Sequence, residues 1–127
     1  MALSDLLASS AHAIARGALW ALKGGYHQAA LAGNVTLDAT YPIVCGFDPD
    51  GAGRDVVLDG DSAAAGDAAV DGMLRVIVNR ANAAEDLTVK DATGATIGTV
   101  SQNEAAAFYH DEDSGWTLIC IATIALS

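Results

Sequence analysis

Aromatic side chains are scarce in this chain: two Trp, three Tyr and two Phe, 6% of 127 residues. A core built on stacked rings is therefore excluded, and the interior must be a thin one of Val, Ile and Leu around a few rings. Bases are also few. Six Lys and Arg stand against 16 Asp and Glu, a formal net charge of −10, which argues against general binding to a nucleic-acid backbone. The two cysteines, Cys45 and Cys120, each sit inside an apolar run. They read as buried reduced thiols, with a disulfide between two strands as the alternative. No uncharged run reaches the ~18–20 residues that a membrane span needs. The opening MALSDLL is acidic where a secretory signal is basic, so a soluble protein made in a cytoplasm is expected.

What is present is organised around Trp116–Leu126, WTLICIATIAL. Its isoleucines and threonines, with no charge and no cap, favour a strand over a helix. Both alternating sets, Trp116, Leu118, Cys120, Ala122, Ile124 and Thr117, Ile119, Ile121, Thr123, Ala125, are mostly apolar or β-branched. Such a strand expects cover on both faces.

At the other end, Leu3, Leu7, Ala11, Ile14, Ala18 and Leu22 recur at helical spacing after a Ser4 cap, and Gly24–Gly25 closes the segment. Leu6, Leu19 and Trp20 widen the apolar surface beyond one stripe. The predicted helix either covers its own domain or is an arm that docks on a partner. Residues 1–28 carry a net charge of +1 and residues 29–127 a net of −11, so arm and body suit different surroundings.

Between them, 26–33 reads as a linker or extended lead-in. Strands are expected at 34–38 with Val35 and Leu37 inward, and at 41–47 with Tyr41, Ile43, Cys45 and Phe47 on one face. The loop DPDGAGR (48–54) then returns as a strand through Val56–Leu58, a plausible hairpin. After an acidic loop at 60–71, alternation in 73–79 places Leu74, Val76 and Val78 inward and Arg75 and Asn79 outward, with Ile77 on the outer face, so that part of that face is expected to be covered. Shorter strands follow at 87–91 with Leu87 and Val89 inward, at 95–101 with Ile97 as the main core residue, and at 105–110. The fold class is therefore mainly β: one β-sandwich or jelly-roll-like domain of seven or eight short strands (29–127), preceded by an N-terminal α-helical arm (1–28).

Chemistry-bearing patterns are thin. His12, His27 and His110 lack metal-ligand spacing and read as surface or interface residues. A Cys45–His110 thiol–imidazole pair has no oxyanion-hole signature beside it. Asp48–Asp50–Gly51 is a fragment of a calcium loop without the rest of its pattern, and Asp111–Glu112–Asp113 reads as a solvated turn. GFDPDGAG has neither the Lys-Ser/Thr of a phosphate-binding loop nor a dinucleotide context. No enzyme, cofactor or metal is expected.

Two blocks, LDATYPIVCGFDPDGAGRDVVL (37–58) and LRVIVNRANAAEDLTVKDATGATIGTVSQNEAAAFYHDEDSGWTL (74–118), resemble small structural proteins encoded by tailed bacteriophages. The resemblance lies in Asp48, Pro49, Gly51, Arg54, Val56 and Leu58, then Ile77–Asn79, Ala81, Ala83–Glu85, Leu87 and Val89–Asp91, then Gln102–Ala106 and Trp116. Such proteins are virion components: capsid decoration (cement) proteins, head fibres or tail-fibre modules, β-rich and often trimeric. The resemblance implies a homotrimer on the capsid exterior that binds the major capsid protein and stabilises the head, made in the bacterial host cytoplasm, with no nucleic-acid or membrane partner. A tail-fibre or baseplate module that recognises a host glycan or another fibre protein is the alternative. In this reading Leu7, Ile14, Arg16, Trp20 and Lys23 are the candidate partner-binding residues of the arm, and Ile119 and Ile121 the candidate subunit interface.

Overall fold

The computed structural model describes residues 25–60 and 69–125. The expected arm helix, with Leu7, Ile14, Arg16, Trp20 and Lys23, lies outside them. Among the described residues there are nine strands: β1 Tyr26–Ala30, β2 Val35–Thr36, β3 Val44–Asp48, β4 Arg54–Val57, β5 Leu74–Asn79, β6 Leu87–Lys90, β7 Thr96–Val100, β8 Glu104–Asp111 and β9 Gly115–Thr123. The mainly β expectation is met, with one strand more than the seven or eight expected. The extra one is β1, in the stretch read as a linker or extended lead-in; it crosses the expected 28/29 boundary.

The strands form two sheets, one in the order β1-β3-β5-β8-β9 and the other β2-β4-β6-β7. From β1 to β6 the chain alternates between them, so each odd strand joins the larger sheet and each even strand the smaller. Successive turns of this coil stack in parallel. Tyr26 lies beside Val44 and Val44 beside Val76 in the larger sheet. Val35 lies beside Val56 and Val56 beside Val89 in the smaller. The winding then reverses: β7 runs antiparallel to β6, and β8 and β9 close the larger sheet as antiparallel neighbours. The four parallel ladders are not the antiparallel winding of a jelly roll. Nor do β3 and β4 form the expected hairpin, because the 49–53 connection carries the chain from one sheet to the other.

One core joins the two sheets. Phe47, Ile77 and Phe108 of the larger meet Val56, Leu87, Val89 and Val100 of the smaller, with Leu37 and Leu58 from the connections, and all are essentially inaccessible. Burying each such side chain is worth about 1.5–3 kcal/mol. Close approach of the sheets is set partly by Gly98 on β7: a methyl group there would lie 3.3 Å from Phe108 Cε1 and 3.8 Å from Leu118 Cδ1. Val100 is the fully buried residue of β7, whereas Ile97 is only partly buried.

On β5 the expected phase is inverted. Leu74 is 44% exposed, while Arg75, Ile77 and Asn79 are fully buried. The reason is that polar partners wait inside. Arg75 donates from Nε and Nη2 to the two carboxylate oxygens of Asp59, both at 2.7 Å, and neither side chain is accessible. Its guanidinium also donates to the carbonyls of Asp38, Tyr41 and Pro42. Asn79 Nδ2 donates to the carbonyls of Glu85 (2.7 Å) and Val100 (2.8 Å), and its Oδ1 accepts the Ala81 amide. Buried polar groups satisfied in this way are tolerated, and they tie loops to the sheets.

Candidate functional site: the free edge of the larger sheet

The residues that carry the phage-protein resemblance come together as turn architecture. Asp48 Oδ1 accepts the Asp50 amide at 2.9 Å, Asp50 and Gly51 take positive φ (54° and 92°), and Arg54 Nε donates to the Pro49 carbonyl at 3.1 Å. Gln102 Nε2 donates to the Ala81 carbonyl, and Glu104 accepts the Ser101 amide. Lys90 Nζ lies 2.8 Å from Asp55 Oδ2 across the β4–β6 ladder. These side chains hold corners of the coil in place, work that any partner or reaction would have to leave undisturbed.

Asp91 caps the 92–95 turn by accepting from the Thr93 amide, the Thr93 hydroxyl and the Ala95 amide. The Thr93 hydroxyl first, with the turn amides, holds its carboxyl below the ordinary 3.8 against the opposing effect of burial. A depressed acid stabilises the fold above its unfolded pKa, and that contribution is lost as pH falls through the folded value. Thr93→Ala is therefore expected to move the Asp91 midpoint up towards 3.8 in a carboxyl NMR titration. An unmoved midpoint would show that the hydroxyl is not the cause.

Of the two thiols expected to be buried and reduced, one is buried and the other is not. Cys45 is buried and free, with Sγ donating to the Pro42 carbonyl at 3.3 Å, and Cys120 is exposed and free. Burial pushes the Cys45 thiol up to about 11, so it is protonated at neutral pH and a poor nucleophile. His110, expected at a surface or interface, is buried with its ring 5.3 Å from that of Trp116. Among the described residues, no group of three or more His, Cys, Asp and Glu is placed to hold a metal ion.

What the fold leaves open is β9. Its first half is covered: Trp116 is buried with Nε1 donating to the Asp59 carbonyl at 2.8 Å, and Leu118 packs on the core under Gly98. The ladder with β8 then skips Ile119, since Phe108 faces Leu118 and Ala107 faces Cys120. This bulge restarts the alternation, so Ile121 pairs with the buried Ala106 and sits on the core side of the sheet. Among the described residues, no strand of the smaller sheet covers it there. Ile119 is 53% and Ile121 40% exposed, and Cys120, Ala122 and Thr123 are exposed as well. The expectation of cover on both faces thus holds for residues 116–118 and fails for 119–123. The two candidate interface residues are brought together on this overhang, at the outer edge of the sheet.

No protein-family model matches this chain, and no curated protein sequence matches it either.

Proposed function

We propose that this protein is a structural virion component of the capsid-decoration (cement) type, which binds the outer surface of a phage head and stabilises it without catalysing a reaction. In this reading the two sheets form a sandwich body, residues 1–28 form the arm that engages the major capsid protein, and the protein assembles as a homotrimer. The single observation that carries the reading is the uncovered distal half of β9. An apolar strand bare on both faces is an association surface rather than a reaction site. The resemblance in residues 37–120 supports it further, because its polar residues are spent on holding turns. The acidic body suits exposure to solvent on a particle surface.

The test is binding to particles. The full chain, mixed with isolated heads that lack it, is expected to co-sediment and to appear as an array on the head surface in electron micrographs. Failure to bind heads, or copies confined to the tail, would end the decoration reading. Removing residues 1–24 is expected to abolish retention on heads while the far-ultraviolet circular dichroism keeps its β signature. Normal retention of the shortened chain would remove the arm from the mechanism.

A further inference from the structure

We infer that the outer face of the larger sheet is a docking surface, and that its occupant in the free protein is the chain's own residues 1–24. The inference deepens the proposed function by saying where the arm lies before a head is met. Only the arm's later transfer to the capsid rests on that reading.

The two sheets turn different outer faces away from their shared core. On the smaller sheet, Asp55, Thr88 and Thr99 lie side by side facing outward, and Lys90 is paired to Asp55. That is a solvated face. On the larger sheet one row runs Tyr26, Val44, Val76, Ala107 and Cys120 across all five strands. The next row runs Gln28, Gly46, Val78, Ala105 and Ala122. Residues in register share a face, and Cys45, Phe47, Ile77 and Phe108 hold the core side, so both rows point outward. Neither row contains a charged residue. Among the described residues, charges on this face stand at its ends, Asp48 and Arg80 at one and Asp111 at the other. Strands that read as apolar on both sides are those covered on both sides, yet Tyr26 is 45% and Leu74 44% exposed, and Cys120 and Ala122 are exposed too. An apolar face of this extent marks a contact. Ile121, on the core side, and Ile119, at the bulge, are not part of it.

Continuity, length and charge select residues 1–24 as the cover. They lead directly into β1, the edge strand of this same sheet, whose first residue Tyr26 is on the outer face. The Tyr26 ring already leans across that face, since a Cβ on Gly46 would collide with its Oη and Cζ. A segment tethered there meets the face at an effective concentration of about a millimolar, with no assembly step. At the helical spacing read in the sequence, Leu3 to Leu22 would extend about 30 Å. That is enough to cross five strands about 4.8 Å apart. The small residues Gly46, Ala105, Ala107 and Ala122 leave room above them for leucine and isoleucine side chains. Other occupants fit less well. Residues 61–68, DSAAAGDA, carry two acids and no apolar side chain larger than alanine. A second copy sets a net charge of −10 against −10, whereas residues 1–24 hold Asp5 against Arg16 and Lys23, opposite in sign to the rest of the chain. Two such faces packed together would also close a dimer and leave no place for the third copy of a trimer.

The face carries its own reporter. Cys45 is buried with its thiol pushed up to about 11, so at neutral pH N-ethylmaleimide reads Cys120. In the full chain, Leu7→Asp and Ile14→Asp are each expected to speed the labelling of Cys120 by about ten-fold or more, because they lift the cover from it. The wild-type rate is expected to be the same at every protein concentration. Wild-type labelling as fast as in the variants would overturn the inference. Protection that fades on dilution would do so as well, since it would give the face to another copy. Thr88→Cys in a Cys120→Ser background places the thiol on the outer face of the smaller sheet, and Ile14→Asp is expected to leave its labelling unchanged. Equal acceleration there would show a loosened body rather than a vacated face, and would also overturn the inference. Head binding separates this idea from the decoration reading. Cys120 shielded by the arm in a chain that ignores heads would leave the inference standing and the reading lost. Head binding by a chain whose Cys120 is open before heads are added would do the reverse.

Discussion

Arg75→Ala is expected to lower the stability of the domain by about 3–5 kcal/mol, the range for removing one member of a buried ion pair. The loss follows from what remains. Asp59 would keep a fully buried carboxylate with its bidentate partner gone, and the carbonyls of Asp38, Tyr41 and Pro42 would each lose a donor. A domain of this size has about 5–15 kcal/mol in total, so the variant stands close to unfolding at ambient temperature. Urea titration checks it: the midpoint should fall sharply while the slope stays the same. The double variant Arg75→Met, Asp59→Leu is the informative control. Replacing both charges by apolar groups of similar size is expected to restore most of the lost stability. A double variant as unstable as the single one would mean that the contacts to the 38–42 loop, rather than the ion pair, hold this region.

Asn79→Ala is the second large effect. One side chain serves three backbone groups, the carbonyls of Glu85 and Val100 and the amide of Ala81. A buried group left without its partner costs about 1–3 kcal/mol, so a loss of about 3 kcal/mol or more is expected in thermal or urea unfolding. Asn79→Asp adds a pH signature. It keeps the acceptor for Ala81 but turns a carboxylate oxygen towards two carbonyls in a dry site, which raises the carboxyl's folded pKa above its unfolded value. Protons are then bound more tightly by the folded form. The variant should be least stable above the folded pKa and recover as pH falls towards the ordinary carboxylate value near 4. Stability flat across that window would place residue 79 in contact with water.

Both residues mark the limit of reading this chain from its letters. Leu87, Val89, Cys45, Phe47 and Leu37 were legible as core, because each alternates with polar neighbours or sits in a short apolar run. β5 was not. Its sequence, LRVIVN, is apolar on both faces, so a shift of one residue gives an equally good pattern, and the usual preference for Arg and Asn at the surface selects the wrong one. The deciding partner of Arg75 is Asp59, on the far side of the 60–71 loop, and nothing local announces it. The corner at 48–54 fails for a related reason. Asp-Pro-Asp-Gly chemistry specifies a sharp change of direction, which a hairpin and a crossing between sheets both need. At β9 the apolar character of both faces was read directly, and so was the pair Ile119 and Ile121. That the cover would stop at Leu118 depends on the smaller sheet having one strand fewer, which no stretch of sequence records.

The coiled part of the fold also implies an order of folding. β8 and β9 meet through a three-residue turn, and β6 and β7 through one of five, so their contacts close small loops at little entropic cost. The parallel neighbours are far apart in sequence, Tyr26 from Val44 and Val56 from Val89, and wide loops must be closed before those contacts stabilise anything. The C-terminal hairpins are therefore the natural nucleus, onto which earlier strands wind backwards until β1 is laid down last. A chain emerging from the ribosome N-terminus first would hold its opening segments unpaired until β9, Gly115–Thr123, was free of the exit tunnel.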